Sequence, residues 1–289
     1  MQRPTCIILC GVPGSGKSTY AQNYIKQFGG IHLSSDTIRK ELYGDESIQG
    51  NPNEIFSLME QRAVNALNQN INVIYDSTGI TRKDRAGIIA ACPQFVKIEV
   101  HVIWAPIEMC IERDASRERT VGEAVIDRML KRFQPPYYDE GIDEIKIIWP
   151  DQFDPYEYDK NIWKLIKVPH DNPHHTLDIN EHCLDACAFA YNHNYSESIE
   201  YAALWHDIGK GYTKSFVDSK GNSCETAHYY SHQNYGAWIS YGLPRITPFI
   251  AWLIGAHMEP FGNTKYYNRL PNYLKLAVDQ LHECDLAAH

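Results

Sequence analysis

The sequence predicts an α/β domain, a mostly parallel sheet with helices on both faces, followed by an all-α domain. Between residues 5 and 150, strand-like apolar runs alternate with helical patterns, which implies parallel strands joined by crossover helices. The first run, Thr5-Cys-Ile-Ile-Leu-Cys10, leads straight into the glycine-rich stretch Gly11-Val-Pro-Gly-Ser-Gly-Lys-Ser18. From Asn180 onward the pattern is helical almost throughout.

Strand-like runs occur at Cys6–Cys10, Ile71–Tyr75, Phe95–Trp104 and Ile145–Trp149, with a short one at Ile31-His-Leu33. One helix between them starts at an Asn51 cap with Pro52 in its first turn. Its apolar positions Ile55, Leu58, Met59, Ala66 and Leu67 keep helical spacing. In such sheets ligands sit outside the carboxyl ends of the strands, so the residues just after each strand are read for chemistry.

The 289 residues suit two domains, and 44% apolar with 22% charged residues describe a globular chain able to bury real cores. No apolar stretch approaches the roughly 18 residues of a membrane span. The start runs directly into a strand, so no signal or transit peptide is expected and the location is read as cytoplasmic. The 8 cysteines lie mostly in apolar runs without C-x-x-C spacing, which suits reduced thiols. A formal net charge of −9 argues against non-specific coating of nucleic acid, but leaves room for gripping one strand end.

Gly11 to Ser18 matches G-x-x-x-x-G-K-[ST], the nucleoside-triphosphate P-loop. Gly11, Gly14 and Gly16, with Ser15, let backbone N–H groups point inward at phosphate oxygens. Lys17 is expected to reach the β- and γ-phosphates of ATP or GTP, and the Ser18 hydroxyl to ligate Mg²⁺. Thr19 follows in the first turn of a helix whose N-terminal dipole faces the same anion. In Ser34-Ser-Asp-Thr-Ile-Arg39, Asp36 can take a proton from an attacking hydroxyl. Taken alone it serves equally as a helix N-cap. Asp76-Ser-Thr-Gly79, then Thr81, Arg82 and Arg85, reads as a second functional turn or as a plain strand-to-helix connection.

Glu112 to Val121 carries Arg113, Arg117 and Arg119, and reads as a lid whose arginines stabilise a transferring phosphoryl group. The alternative is a solvated helix face on which Glu112, Asp114 and Glu118 balance the arginines. Val121 to Phe133 reads as a helix with Val125, Met129 and Phe133 on one stripe.

Over residues 5–150 these features together resemble the polynucleotide 5′-hydroxyl kinases, a family of P-loop phosphotransferases. The likeness rests on Gly11–Thr19, Ser35-Asp36 with Arg39, Asp76-Ser-Thr78, and the lid arginines with Arg128-Met129. It implies that Asp36 is the general base for a nucleic-acid 5′-OH. Arg39, Asp76 and Thr78 would hold the acceptor end, and Arg113 and Arg117 would clamp the donor phosphates.

Pro150 to Asp159 breaks both periodicities. The expected division is 1–152 for the P-loop domain, 153–169 for a linker, and 170–289 for the second domain. Of the 13 histidines, only His32 and His101 precede residue 170. The doublet His206-Asp207 closes one predicted helix, with His182 before it and His232, His257 and Asp285 after. Imidazole and carboxylate donors from several helices suit one or two divalent ions such as Mn²⁺, Fe²⁺, Ni²⁺ or Zn²⁺, with Asp207 bridging. A metal pair clamps phosphate and acidifies water. Lys210 is placed to meet a phosphate oxygen, or to act as a helix-end charge.

The order H…HD…H…H…D over residues 170–289 resembles the HD-domain phosphohydrolases. The resemblance implies the ligand set His182, His206, Asp207, His232, His257 and Asp285. His228 competes with His232 for its slot, and His174 or His175 would contact substrate. Asp285 lies four residues from the last residue, so the final helix is expected to be short and its ligand loosely held.

Together the halves imply an enzyme that heals nucleic-acid ends. It would phosphorylate 5′-OH ends of RNA or DNA and strip a 2′,3′-cyclic, 3′- or 2′-phosphate from RNA ends, preparing them for a ligase. The alternatives are a small-molecule P-loop kinase joined to an HD nucleotide hydrolase, and a non-catalytic nucleotide-gated binding module.

Overall fold

β1 (Thr5–Cys10) is the central strand of a five-stranded parallel sheet in a computed structural model that describes residues 3–172 and 177–288. After it come α1 (Lys17–Phe28), β2 (Ile31–Ser34), α2 (Ser35–Tyr43), α3 (Pro52–Asn68), β3 (Val73–Asp76) and α4 (Arg82–Ala91). They are followed by β4 (Lys97–Ile103), α5 (Ile107–Ala115), α6 (Glu123–Leu130) and β5 (Glu144–Ile148). The sheet order is β2-β3-β1-β4-β5. β1 therefore sits where the chain turns to opposite sides of the sheet, and its carboxyl end is the position where such folds bind ligands. Ile7 and Leu9 of β1 pack with Ala21, Ile74 and Ile103 in one core cluster.

Local chemistry sets the helix starts. The Asn51 side chain accepts from the Asn53 amide with Pro52 at the first position, and Thr81 with Asp84 forms a capping box on α4. The cap of α2 is Ser34, whose Oγ accepts from the Asp36 amide at 3.3 Å. Asp36 is thereby released from the capping role that its sequence position also allowed. Asp76 is the last residue of its strand, paired in register with Ser34.

β4 departs from an apolar run at two buried positions, Glu99 and His101. The Glu99 carboxylate only accepts, so His101 Nε2–H donates to it (2.9 Å), leaving Nδ1 to accept from the Tyr20 hydroxyl (2.7 Å). Lys97 and Lys146 close on Glu99 at 2.8 and 2.7 Å. This network ties α1, which begins at Lys17, to the sheet.

The chain divides into two compact units, residues 1–126 with 136–151 and residues 127–135 with 152–289. The second contains α7 (Pro155–Leu165), α8 (Ile179–Asn192), α9 (Glu197–Trp205) and α10 (Lys210–Thr213). A β6 (Ser215–Val217) and β7 (Ser223–His228) hairpin follows, then α11 (His232–Ser240), α12 (Pro248–Ala256), α13 (Glu259–Gly262) and α14 (Asn272–Ala287). α8 packs on α9 and α14, and α12 on α9 and α11. Phe133 is fully buried in this unit, with its ring 5.2 Å from that of Trp238. Among the described residues no helix is long and apolar enough to cross a membrane.

Several expectations need correcting. The second unit is not all-α, because the polar, turn-rich stretch 215–228 pairs as an antiparallel hairpin. Residues 153–169, expected as linker, include α7, started by Asp154 accepting from the amides of Tyr156 and Glu157. The helix expected over 121–133 is α6, and its buried positions are Ile126 and Leu130 in place of Val125 and Met129. His174 and His175 lie outside the described residues.

Candidate active sites

The loop after β1 needs its glycines for stereochemical reasons. Gly14 has φ +78°, and a Cβ there would lie 2.0 Å from the Cys110 carbonyl oxygen. Lys17 folds its ammonium back over this loop, donating to the carbonyls of Gly11 (2.8 Å) and Val12 (3.0 Å). The Gly11 amide is held by the Thr78 carbonyl at 3.0 Å. Burial lowers the Lys17 pKa from its ordinary value, opposed by the Asp76 carboxylate. Ser15 is buried, whereas Ser18 and Thr19 open to solvent.

Asp76, expected to contact an acceptor, stands beside Ser18, whose hydroxyl donates to its Oδ2 at 3.2 Å. His32 Nε2 meets the same oxygen at 2.9 Å, a partner that sequence reasoning missed. Asp36 and Arg39 pair at 2.6 Å, with the Asp36 side chain 56% exposed. The arginine-bearing segment is also more structured than a balanced helix face. Asp114 is buried and accepts from the amides of Val121 (3.0 Å) and Gly122 (2.9 Å), closing the loop on itself. Arg113 Nη1 lies 3.8 Å from where a Gly16 Cβ would stand, and Arg117 lies near enough for its charge to depress Lys17.

In the second unit all six expected donors come together. His206 and Asp207 follow the end of α9, His257 follows α12, and His232 opens α11. His182 lies in the first turn of α8 and Asp285 in the last turn of α14. His182, His206, Asp207 and Asp285 offer ligand atoms within 4.8 Å of one another, as do Asp207, His232 and His257. Asp207 serves both groups. Its Oδ2 faces His182 (3.6 Å) and His206 (3.5 Å), and its Oδ1 faces His232 (3.2 Å) and His257 (3.8 Å). Asp285 Oδ1 lies 3.0 Å from His182 and 3.3 Å from His206. The Asp285 side chain is 14% exposed.

Each imidazole presents the same nitrogen. Nδ1 of His206, His232 and His257 faces the carbonyl three residues back, at 2.7, 2.8 and 2.7 Å, and Nδ1 of His182 faces Ala288 O at 2.9 Å. For His206 and His257 those carbonyls belong to the last turn of a helix, where they lack intrahelical partners. Carbonyls only accept, so each Nδ1 carries the hydrogen, and in its neutral form each ring aims the Nε2 lone pair inward. Nε2 atoms then confront each other at 3.2 Å (His182–His206) and 3.0 Å (His232–His257). Facing lone pairs at that distance require a cation or a proton, and backbone-anchored imidazoles are how metal-ligating histidines are held. The donor set fits a divalent ion.

Burial disfavours a charge on His206, but Asp207 and Asp285 outweigh it and raise its pKa to about 9, so at its Nε2 a proton competes with a cation for the lone pair. Burial and the neighbouring His232 and His206 push His257 down to about 3. Asp207 is held well below its ordinary value, with burial overcome by Lys210 and His206. Gly209 is required by close approach, since a Cβ there would stand 1.9 Å from the His232 carbonyl oxygen. Lys210 is buried with Nζ 2.5 Å from Asp207 Oδ2, which excludes the exposed helix-end reading. His228 stacks on Tyr230 and leaves the slot to His232.

A family model described as an AAA domain matches residues 6–136. The matched stretch holds the P-loop, Gly11–Ser18, at the carboxyl end of β1. Among solved structures, this chain is similar to a chain of the Pnkp1/Rnl/Hen1 complex at 25% identity and TM-score 0.36, covering 42% of this chain and 44% of that one. A chain of the Pnkp1/Rnl/Hen1 RNA repair complex matches at 22% identity and TM-score 0.42, over 46% of this chain and 44% of that one. A gluconokinase from Sinorhizobium meliloti matches at 17% identity and TM-score 0.38, over 53% of this chain and 86% of its own. This chain thus spans less than half the length of the first two.

Proposed function

We propose that the protein heals broken nucleic-acid ends with two separate centres, a 5′-hydroxyl kinase and a metal-dependent phosphoesterase. The observation that carries this reading is the convergence of four Nε2 atoms on Asp207 and Asp285 in a chain that also holds a P-loop. In the kinase-like domain, Asp36 takes the proton of the acceptor hydroxyl as that oxygen attacks the γ-phosphorus. The bond to the β,γ-bridging oxygen breaks, leaving a 5′-phosphate and a nucleoside diphosphate. The exposure of Asp36 suits an acceptor as large as a strand end. Arg39 and Thr78 orient that end, and Lys17, Arg113 and Arg117 neutralise the phosphates. Ser18 and Asp76 fit Mg²⁺ that arrives with ATP or GTP, a reading that the Ser18–Asp76 contact favours over an acceptor role for Asp76.

In the second unit, Mn²⁺, Fe²⁺, Ni²⁺ or Zn²⁺, when bound, would polarise phosphoryl oxygens and lower the pKa of water. His182, His206, Asp207 and Asp285 would hold one ion, and Asp207, His232 and His257 another. Water adds to phosphorus, the P–O bond to ribose breaks, and the leaving oxygen takes a proton. A cyclic phosphate opens to a monoester, and a second water releases inorganic phosphate. Lys210 donates a hydrogen bond to the phosphate.

The test is product analysis on an RNA with a 5′-OH and a 2′,3′-cyclic phosphate, with ATP or GTP and added metal. Lys17→Ala and Asp36→Ala should abolish only 5′ phosphorylation, and His206→Ala and Asp207→Ala only phosphate removal. Folded variants of both classes losing both activities would overturn the two-centre scheme. Label from ATP appearing only on sugars or nucleosides would replace it with a small-molecule kinase.

A further inference from the structure

His170 belongs to neither set of expected donors, yet it is 1% exposed and stands against the second centre. Its ring packs edge-on to His182, centroids 5.6 Å apart at 89°, and to Tyr229 at 6.2 Å and 82°. Its Nδ1 faces the Leu177 carbonyl at 2.8 Å, so Nδ1 carries the hydrogen and Nε2 keeps its lone pair. That lone pair faces Lys210 Nζ at 3.3 Å, and an ammonium group can only donate. The backbone around His170 is fixed as well. Its carbonyl accepts from the Tyr229 hydroxyl, the Asp171 carbonyl from the Ala227 amide (2.8 Å), and the Ala227 carbonyl from Asn172 Nδ2 (3.2 Å).

Lys210 is therefore held from two directions, by Asp207 Oδ2 at 2.5 Å and by His170 Nε2 at 3.3 Å. An ammonium has three N–H donors; one goes to His170, while the ion pair with Asp207 and the Tyr229 ring, 5.4 Å from Nζ to its centroid, fix where the group sits and limit where the remaining N–H groups can point. We propose that His170 is a positioning residue. It accepts from Lys210 so that a remaining N–H is presented to a phosphate oxygen of the group held at the His182–Asp285 and His232–His257 donors. The inference rests on the phosphoesterase reading, and it names the residue that orients the only lysine or arginine placed in direct contact with Asp207 among the described residues. A flexible lysine loses much side-chain entropy on being fixed, and a second acceptor is how the fold meets that cost before substrate arrives.

The experiment uses the full chain loaded with Mn²⁺ and inorganic phosphate as the probe, with affinity measured by calorimetry and manganese counted by elemental analysis. His170→Gln keeps an acceptor that reaches Lys210. His170→Asn keeps only a polar group at the Nδ1 position, and His170→Leu keeps none. His170→Asn and His170→Leu should weaken phosphate by about 10- to 100-fold, the range for a hydrogen bond to a charged group. His170→Gln should stay near wild type, and all three should retain manganese and ATP-dependent 5′ phosphorylation. His170→Leu with Lys210→Met should bind no more weakly than Lys210→Met alone, because one acts through the other. Equal phosphate affinity in the Gln and Asn variants, additive losses in the double variant, or loss of manganese in the Asn variant would each overturn the inference. A wild-type chain that removes the terminal phosphate while His170→Asn binds phosphate normally would overturn the role of His170 alone. A manganese-loaded wild type that neither binds phosphate nor cleaves the ester would overturn the reading of the site, and the inference with it.

Discussion

The Nε2 atoms of His232 and His257 lie 3.0 Å apart, and each ring has its Nδ1 tied to the carbonyl three residues back. Two hydrogen-free nitrogens face each other inside a buried site. The backbone has set the tautomers so that the unfilled valence points inward.

Metal content should follow from this arrangement. The purified chain is expected to carry up to two divalent ions, Asp207→Asn to lose both, and His257→Ala to lose chiefly the one shared with His232. Elemental analysis checks the stoichiometry. Ion at about 100 times its Kd adds about 2.7 kcal/mol of stability, so chelation should lower the melting temperature of the second unit. An unchanged melting temperature after complete removal would contradict the fit argued for the donors.

Gly14→Ala should be far more damaging than an exposed glycine substitution such as Gly221→Ala. Both glycines have a left-handed φ, +78° and +88°, which costs about 1–2 kcal/mol in either variant, but only at Gly14 does the added methyl meet a carbonyl, that of Cys110, with nothing flexible to yield. Loss of nucleotide binding together with a lower melting temperature is expected, read with a fluorescent ATP analogue and by calorimetry.

Asp36→Asn should cut 5′ phosphorylation by about 10²–10⁴-fold, the usual worth of a general base. Nucleotide affinity should hardly change, because Asp36 pairs with Arg39 and not with the P-loop. Lys17→Ala should lose nucleotide affinity as well. Binding and turnover measured separately distinguish the two variants.

Glu99 sets an acid limit. Burial would raise its pKa, but Lys146, Lys97 and His101 bring it down to about 2. A depressed carboxyl contributes stability that is complete above its unfolded value of about 4.3 and is lost as pH falls through the folded value. Wild type should therefore be more stable than Glu99→Gln at pH 7, and the gap should shrink steadily between pH 5 and 2. Denaturant midpoints across that range provide the check, and a constant gap would show that the network contributes packing alone.

The sequence by itself determined what is local. The glycine pattern after an apolar run marks the P-loop, and the alternation of strands and helices dictates a parallel sheet with that loop at its carboxyl edge. Asn51-Pro52 and Thr81 announce their helices. Hidden from that level were relationships between residues distant along the chain. His182 and Asp285 meet across 103 positions, and only the packing of α8 on α9 and α14 decides that they meet. The assignment of Asp76 to the Ser18 side, the closure of the arginine loop by Asp114 and the capture of Lys210 by His170 were likewise decided by tertiary structure. Periodicity records which face of an element is buried, but a side chain's partners are set by the elements that bury it.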